Sequence, residues 1–380
     1  MKILFVVNYY YPYISGLSEY VRTIAEEMTK RGNHCVVLCS NHNKLPEKEI
    51  INGVQVYRAP IICKISKGTV SPQFITRAVK MSKGFDIVNL HLPMLEAGII
   101  ASMIKRDKLV VMYHCDIHLP QSLINKFIIG IMDISHNIAL KRAKKVIVST
   151  YDYAENARYV GNYKNKMVEA YCPIKEDIEE KALQMRQRGK IWSHDMYVIG
   201  FCGRIVEEKG IDILLKAFEI VKREIPNVRL EIAGDYENVA GGSIYNELMQ
   251  YIQQNKIEDV EFLGGKKPTE VVDFYADIDV LALPSKNPLE AFGTVQIEAM
   301  ITGTPVVVSD LPGLRTVVPR TGMGLVCKKN DVEDLARCLI LVLKDREKYI
   351  KPYEKIKNMY GKTAVADIYQ KCFEDRRVDI

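Results

Sequence analysis

The sequence predicts an α/β fold of two doubly wound parallel-sheet domains joined by a short charged segment. Three observations carry that prediction. Short β-branched runs alternate with amphipathic stretches from the first residue onward, the pattern of βαβ units in a sheet covered on both faces. The alternation breaks once, over a polar segment near the middle, and then restarts. A length of 380 residues also suits two domains at roughly 150 residues each.

In the first half, strands are expected at 3–8, 35–40, 54–58, 87–91, 109–114, 146–150 and 167–172, with helices at 16–31, 72–83, 94–105 and 121–141 between them. Residues 174–195 turn polar and highly charged and read as a linker helix. Strands follow at 198–202, 228–233, 260–263, 280–283, 305–309 and 324–327, with helices beginning near Gly210, Ser243, Pro268, Phe292 and Asp331. Helical segments at 344–359 and 362–373 close the chain. The expected division is 1–173, a linker at 174–195, a second domain at 196–355, and a terminal helix at 356–380 returning to the first domain. Ligands of open parallel sheets sit beyond the carboxyl ends of the strands, so two facing domains would enclose a cleft served by strand-to-helix loops.

Composition narrows the function. At 48% hydrophobic and 26% charged residues the chain is an ordinary globular protein, which excludes disordered, collagenous and coiled-coil classes. Lys126 and Asp133 interrupt the most apolar region, 119–140, so no spanning helix is expected. The first seven residues read as a strand, not a signal peptide. Nine cysteines include no Cys-x-x-Cys pair, and those at 35, 39, 202 and 338 sit singly in apolar runs, as reduced thiols of a cytoplasmic protein do. The net charge of +6 is uneven: residues 1–170 hold 23 Lys and Arg against 13 Asp and Glu, the rest 30 against 34. A basic half suits an anionic surface, or simply solvent. Apolar residues at 123, 124, 127, 128, 131, 134 and 138 have helical spacing and run into the basic 141–145; a core helix with a dipole-matched end and an interfacial membrane helix both fit. Neither domain's first strand loop carries Gly-x-Gly-x-x-Gly, which disfavours an NAD oxidoreductase, and no nucleic-acid motif accompanies the basic half.

The chemistry concentrates in two stretches. In 283–300 a strand ends at Pro284, a loop carries Glu290, and a helix opening near Phe292 would present the amides of Gly293 and Thr294. Glu298 lies deeper in that otherwise apolar helix, where a carboxylate needs donors; a sugar or ribose diol supplies two, and a buried lysine or backbone donor is the plainer partner. In 199–210, Arg204 and Lys209 occupy one loop ahead of a helix and can converge on an anion, although surface cations would read alike. In the first half, His114 opens a stretch with Cys115, Asp116 and His118 that also invites a weaker metal reading, and His91 ends the neighbouring strand, lining a site or simply packed.

Together these residues carry a resemblance. Gly203-Arg204 with Lys209-Gly210, then Pro284-Ser285, Glu290-Ala291-Phe292-Gly293, Glu298-Ala299-Met300, Gly303-Thr304-Pro305-Val306-Val307-Val308-Ser309 and residues 322–326 resemble the retaining glycosyltransferases of family 4. The likeness covers most of 195–345 and is looser in the first half. It implies the GT-B architecture, two Rossmann-like domains facing across a cleft. By position it implies that Arg204 and Lys209 bind the donor phosphates. Glu290 would touch the sugar beside the reacting carbon, Phe292, Gly293 and Thr294 would lend amides, and Glu298 would hold the ribose. The base would lie along Leu263, Gly264 and Lys266. Relatives carry two glycines after the first strand; here Ser15 replaces the first and Gly16 remains to approach a phosphate. His114 is similar to the family's His-Asp stretch near the sugar. The implied activity is hexosyl transfer with retention, without metal or other cofactor, from a UDP- or GDP-linked sugar to a glycan or lipid-linked saccharide. Such transfer serves polysaccharide or glycolipid synthesis in the cytoplasm, at the membrane's inner face where the basic domain docks. A nucleotide-sugar epimerase or hydrolase, and a non-catalytic sugar-nucleotide-binding subunit, remain alternatives.

Overall fold

A computed structural model of the chain describes residues 1–42, 44–65, 68–117, 122–189, 196–237, 239, 242–287 and 290–375. The chain divides into two units: Met1–Pro173 together with Lys362–Ile380, and Ile174–Gly361.

The first unit is built on an eight-stranded sheet. Its strands are β1 (Lys2–Val6), β2 (His34–Ser40), β3 (Lys48–Ile51), β4 (Val54–Ala59), β7 (Ile87–Leu92), β8 (Leu109–Tyr113), β9 (Lys145–Val148) and β10 (Met167–Glu169), in the order β10-β9-β8-β7-β1-β2-β4-β3. A separate two-stranded ribbon is formed by β5 (Cys63–Ile65) and β6 (Gly68–Val70). The strands of the main sheet are parallel except β3, which pairs antiparallel with β4. Asn52 and Gly53 link that hairpin, both at positive φ, as a tight twisted turn requires. The helices are α1 (Gly16–Lys30), α2 (Pro72–Ser82), α3 (Ala97–Met103), α4 (Leu123–Arg142) and α5 (Tyr151–Asn156). Strand β9 stops at Val148 because Thr150 becomes the N-cap of α5, its Oγ1 accepting from the Tyr153 amide at 3.0 Å. The helix expected at 94–105 shrinks to α3, beginning four residues after Pro93.

The second unit carries six parallel strands, β11 (Tyr197–Cys202), β12 (Val228–Ala233), β13 (Val260–Gly264), β14 (Val280–Leu283), β15 (Val306–Ser309) and β16 (Gly324–Cys327), in the order β13-β12-β11-β14-β15-β16. Its helices are α6 (Glu176–Arg188), α7 (Ile211–Glu224), α8 (Tyr245–Asn255), α9 (Pro268–Asp277), α10 (Thr294–Thr302), α11 (Val317–Thr321), α12 (Val332–Lys344) and α13 (Tyr353–Tyr360). Helix α6 is not a free linker: it packs on α9 and α10, and the Arg186 guanidinium donates at 3.0 Å to the carbonyls of Met300, Ile301 and Lys351. Pro352 splits the helix expected at 344–359, leaving a 3₁₀ turn at Arg346–Tyr349 and then α13. The last helix, α14 (Lys362–Glu374), lies in the first unit against α1, where the Tyr369 and Tyr20 hydroxyls meet at 3.1 Å.

Candidate functional site

Strand order reverses between β11 and β14, and at such a switch point the loops leaving the two strands open a crevice. Arg204 and Lys209 lie on the first of these loops, and Glu290, Phe292 and Gly293 on the second. Glycine makes the crevice narrow. A Cβ on Gly210 (φ +69°) would stand 2.0 Å from the Pro284 carbonyl oxygen, and one on Gly234 would stand 1.8 Å from that of Gly203. The loops are also pinned by charge, Lys286 Nζ to Asp212 Oδ2 at 2.7 Å, with the Lys286 amide donating to the Glu208 carbonyl at 2.8 Å.

Lys209 and Glu290 form an ion pair across the crevice, with side chains only 18% and 22% exposed. Arg204 is exposed and donates to Glu208 at 2.6 Å. Each of the two cations expected on donor phosphate is therefore held by a carboxylate. Gly293 caps α10 at φ +65°, and a Cβ there would press to 2.4 Å from Leu314 Cδ2. Helix α10 consequently starts at Thr294, two residues later than expected, with its first-turn amides at the carboxyl end of β14. The Phe292 ring is buried near Tyr360 at 6.0 Å, and its carbonyl accepts from the Gln296 side-chain amide at 2.5 Å.

Glu298, further along α10, is half-buried and accepts from the Tyr275 hydroxyl at 3.2 Å. Burial raises its pKa above the usual carboxylate range, opposed chiefly by the charge of Lys175. The donor to the carboxylate is thus a tyrosine hydroxyl, with the charge of Lys175 also favouring its ionised form. Leu263 and Gly264 end β13 at the sheet edge, two strands from β11, and the half-buried Lys266 follows.

In the first unit, His114 follows β8 and His91 sits inside β7. Their rings meet Nε2 to Nδ1 at 2.9 Å, and the edge of Tyr20 faces His114 at 5.0 Å. Burial lowers the pKa of both, that of His114 to about 3, so the pair is neutral at physiological pH. Ser15 and Ser18 form a reciprocal cap on α1, each side chain bonding the other's amide at 3.1 and 2.8 Å. The serine in place of a glycine therefore starts the helix, and Gly16 beside it has open space around its Cα. Asp116 is engaged by Tyr113, Tyr153 and Arg158, and burial pushes the Cys115 thiol up to about 11. Among the described residues no group of three or more His, Cys, Asp or Glu could hold a metal ion; His118 lies outside them.

Sequence reasoning missed Asp212, Lys286 and Gly234. Gly234 alone left a signal, a glycine immediately after a strand.

Known proteins resemble the chain in sequence and fold. The family described as Glycosyl transferases group 1 matches residues 184–359, and Glycosyltransferase Family 4 matches residues 14–177. An uncharacterized glycosyltransferase of Methanocaldococcus jannaschii, MJ1178, is 24% identical over 91% of this chain and 90% of its own. Sucrose-phosphate synthase from Thermosynechococcus elongatus superposes with a TM-score of 0.72 at 20% identity, covering 98% of this chain and 99% of that one. Anabaena HepE, solved in complex with UDP and glucose, superposes with a TM-score of 0.69 at 20% identity, covering 98% of each chain.

Proposed function

The chain belongs to the family 4 glycosyltransferases and has their GT-B fold, and on that premise we propose that it transfers a hexosyl unit with retention at the anomeric carbon. The donor is a UDP- or GDP-linked sugar, and the acceptor a hydroxyl of a glycan or lipid-linked saccharide. The observation that carries this reading is the Lys209–Glu290 pair beside the glycine-capped start of α10, on the two loops of the switch point.

Departure of a nucleoside diphosphate leaves negative charge where an oxocarbenium-like centre develops. Arg204, Lys209 and the amides of Gly293 and Thr294 meet that charge, an electrostatic contribution that is usually the largest single one. The bond from the anomeric carbon to the diphosphate oxygen breaks while the bond to the acceptor oxygen forms on the same face. The acceptor proton passes to the departing diphosphate oxygen, and no protein base is needed. Glu290 and the neutral His114 orient the sugar hydroxyls, Gly16 lends backbone to a phosphate, and Glu298 takes the ribose diol. The base lies along Leu263, Gly264 and Lys266. No metal ion takes part, and the enzyme works in the cytoplasm at the inner face of the membrane, in polysaccharide or glycolipid synthesis.

The test is a panel of UDP- and GDP-sugars, screened first by thermal stabilisation and then with saccharide acceptors, with the product's anomeric configuration read by NMR. One donor should stabilise the protein, and the product should keep the donor's configuration and form equally well with EDTA. Inversion would overturn the retaining step, loss of activity with EDTA the metal-free one, and water as sole acceptor the transferase reading itself.

A further inference from the structure

Helix α4 turns its apolar side outward. At about 100° per residue, Leu123, Ile124, Phe127, Ile131, Ile134 and Ile138 fall within one arc of roughly 100°. Leu123 is 85% exposed, Ile124 73%, Phe127 71% and Ile134 65%. The opposite side holds Ser135, His136, Ala139 and Leu140, and it is fastened to α3 and the turn before it. The Gly98 amide donates to Ser135 Oγ at 2.8 Å, the Met94 amide to His136 Nε2 at 3.0 Å, and Arg142 Nε to the Ala101 carbonyl at 2.7 Å. The helix is long and apolar enough to cross a bilayer by length and composition, but its C-terminal part is fastened to the unit through Ser135, His136 and Arg142, which suits a helix lying along a surface. Ile99 and Met103 of α3, 56% and 62% exposed, extend the patch. Between α2, α3 and α4 runs a groove of about 580 Å³, lined mainly by Ile75, Leu95, Ile99, Met103, Ile131 and Ile134. Glu96 lies at the groove wall, and burial raises its pKa toward the neutral form.

Charge identifies the occupant. The exposed Lys105 and Arg106 follow α3 directly, and the exposed Lys126 and Lys141 lie on α4, with Asp107 interspersed and Asp133 held by Arg158 at 2.8 Å. The basic run at 141–145 is otherwise spent inside the unit. Arg142 bonds carbonyls of α3 and the residue after it, and Lys144 and Lys145 both bind Asp375. An apolar stripe rimmed by cations matches the headgroup and acyl layers of an anionic bilayer. We propose that the α3–α4 face is a membrane-docking surface: Leu123, Ile124 and Phe127 enter the acyl boundary of an anionic leaflet, the groove takes up acyl hydrocarbon, and Lys105, Arg106, Lys126 and Lys141 meet the phosphates.

The test is flotation of the full chain with phosphatidylcholine vesicles against vesicles also carrying phosphatidylglycerol. The wild type should float with the anionic vesicles and lose binding as salt rises. The exposed triple variant Leu123→Ser, Ile124→Ser, Phe127→Ser should bind about tenfold more weakly or worse, and a variant with the four cations changed to Gln should lose the preference for phosphatidylglycerol. In Phe127→Trp, indole fluorescence should be quenched by brominated acyl chains. Nucleotide-induced thermal shifts on the same variants should match the wild type, which reports folding and keeps the donor question separate. The proposal is overturned if the wild type ignores anionic vesicles at low salt, if the triple variant binds them unchanged, or if the stripe instead holds a solution dimer that the triple variant dissociates.

Discussion

Replacing Glu290 by Gln separates the two jobs proposed for the Lys209–Glu290 pair. Without nucleotide, the Lys209 ammonium is held by Glu290, and both side chains are about one-fifth exposed. Exposed pairs contribute ~0–1 kcal/mol, and breaking a buried pair costs ~3–5 kcal/mol; at this exposure about 1 kcal/mol is a fair charge for taking the lysine away. A diphosphate arriving at Lys209 gains a charged hydrogen bond of ~1.5–3 kcal/mol and must give up that pairing. Glu290→Gln removes the competitor, so UDP or GDP, carrying no sugar, should bind about fivefold more tightly. Turnover should fall, because the carboxylate placed beside the sugar is gone. Lys209→Ala should weaken the same nucleotide by the difference, roughly 0.5–2 kcal/mol, and the double variant should not be additive. Titration calorimetry with UDP and GDP measures all three. Unchanged or weaker nucleotide binding in Glu290→Gln would show that Lys209 is not shared between carboxylate and phosphate.

Three further outcomes follow from the geometry. Glu298→Gln should weaken nucleoside diphosphate by about 1–2 kcal/mol; because burial raises the folded pKa of Glu298, its ionisation costs stability as pH rises, so the variant should melt no lower than the wild type near neutrality. Gly293→Ala should lower stability by about 2–5 kcal/mol in denaturant unfolding, combining ~1–2 for left-handed backbone with ~1–3 for pressing on Leu314. His136, buried between Met94 and Tyr159 with its pKa lowered to about 4, binds a proton in the unfolded chain first, so its contribution is full above about pH 6.5 and is lost as pH falls toward 4. His136→Gln should flatten the fall in unfolding free energy over that window by about 1.4 kcal/mol per pH unit; an unchanged slope would refute the assignment.

What was legible in the sequence was local. Strands β12, β14 and β16 stand where their runs put them, and interior β14 shows why: a strand buried on both faces is apolar throughout and ends sharply, here at Pro284. The loop residues of the site, Arg204, Lys209, Glu290 and Gly293, were legible because such loops must follow strands. Pairings were not: Lys209 and Glu290 are 81 residues apart, and only the reversal of strand order sets β11 beside β14. In the edge hairpin, β4 was expected but β3 escaped because it is short and half-exposed, and the Asn-Gly turn was the one local sign.

Helix α4 shows where periodicity stops. Apolar spacing identifies a helix and a face, but inferring that the face is buried assumes that the rest of the unit offers it a partner. Here α3 presents Gly98, whose Cβ would collide with the Ser135 backbone at 2.8 Å, so the close approach belongs to the side of α4 carrying serine, histidine and alanine. Small residues and directed hydrogen bonds took the inner position, and the isoleucines were left outside. Six of the seven apolar positions, which fitted a core helix and an interfacial one alike, thus become, once the other side is committed, an unpartnered stripe, and its partner has to come from beyond the unit.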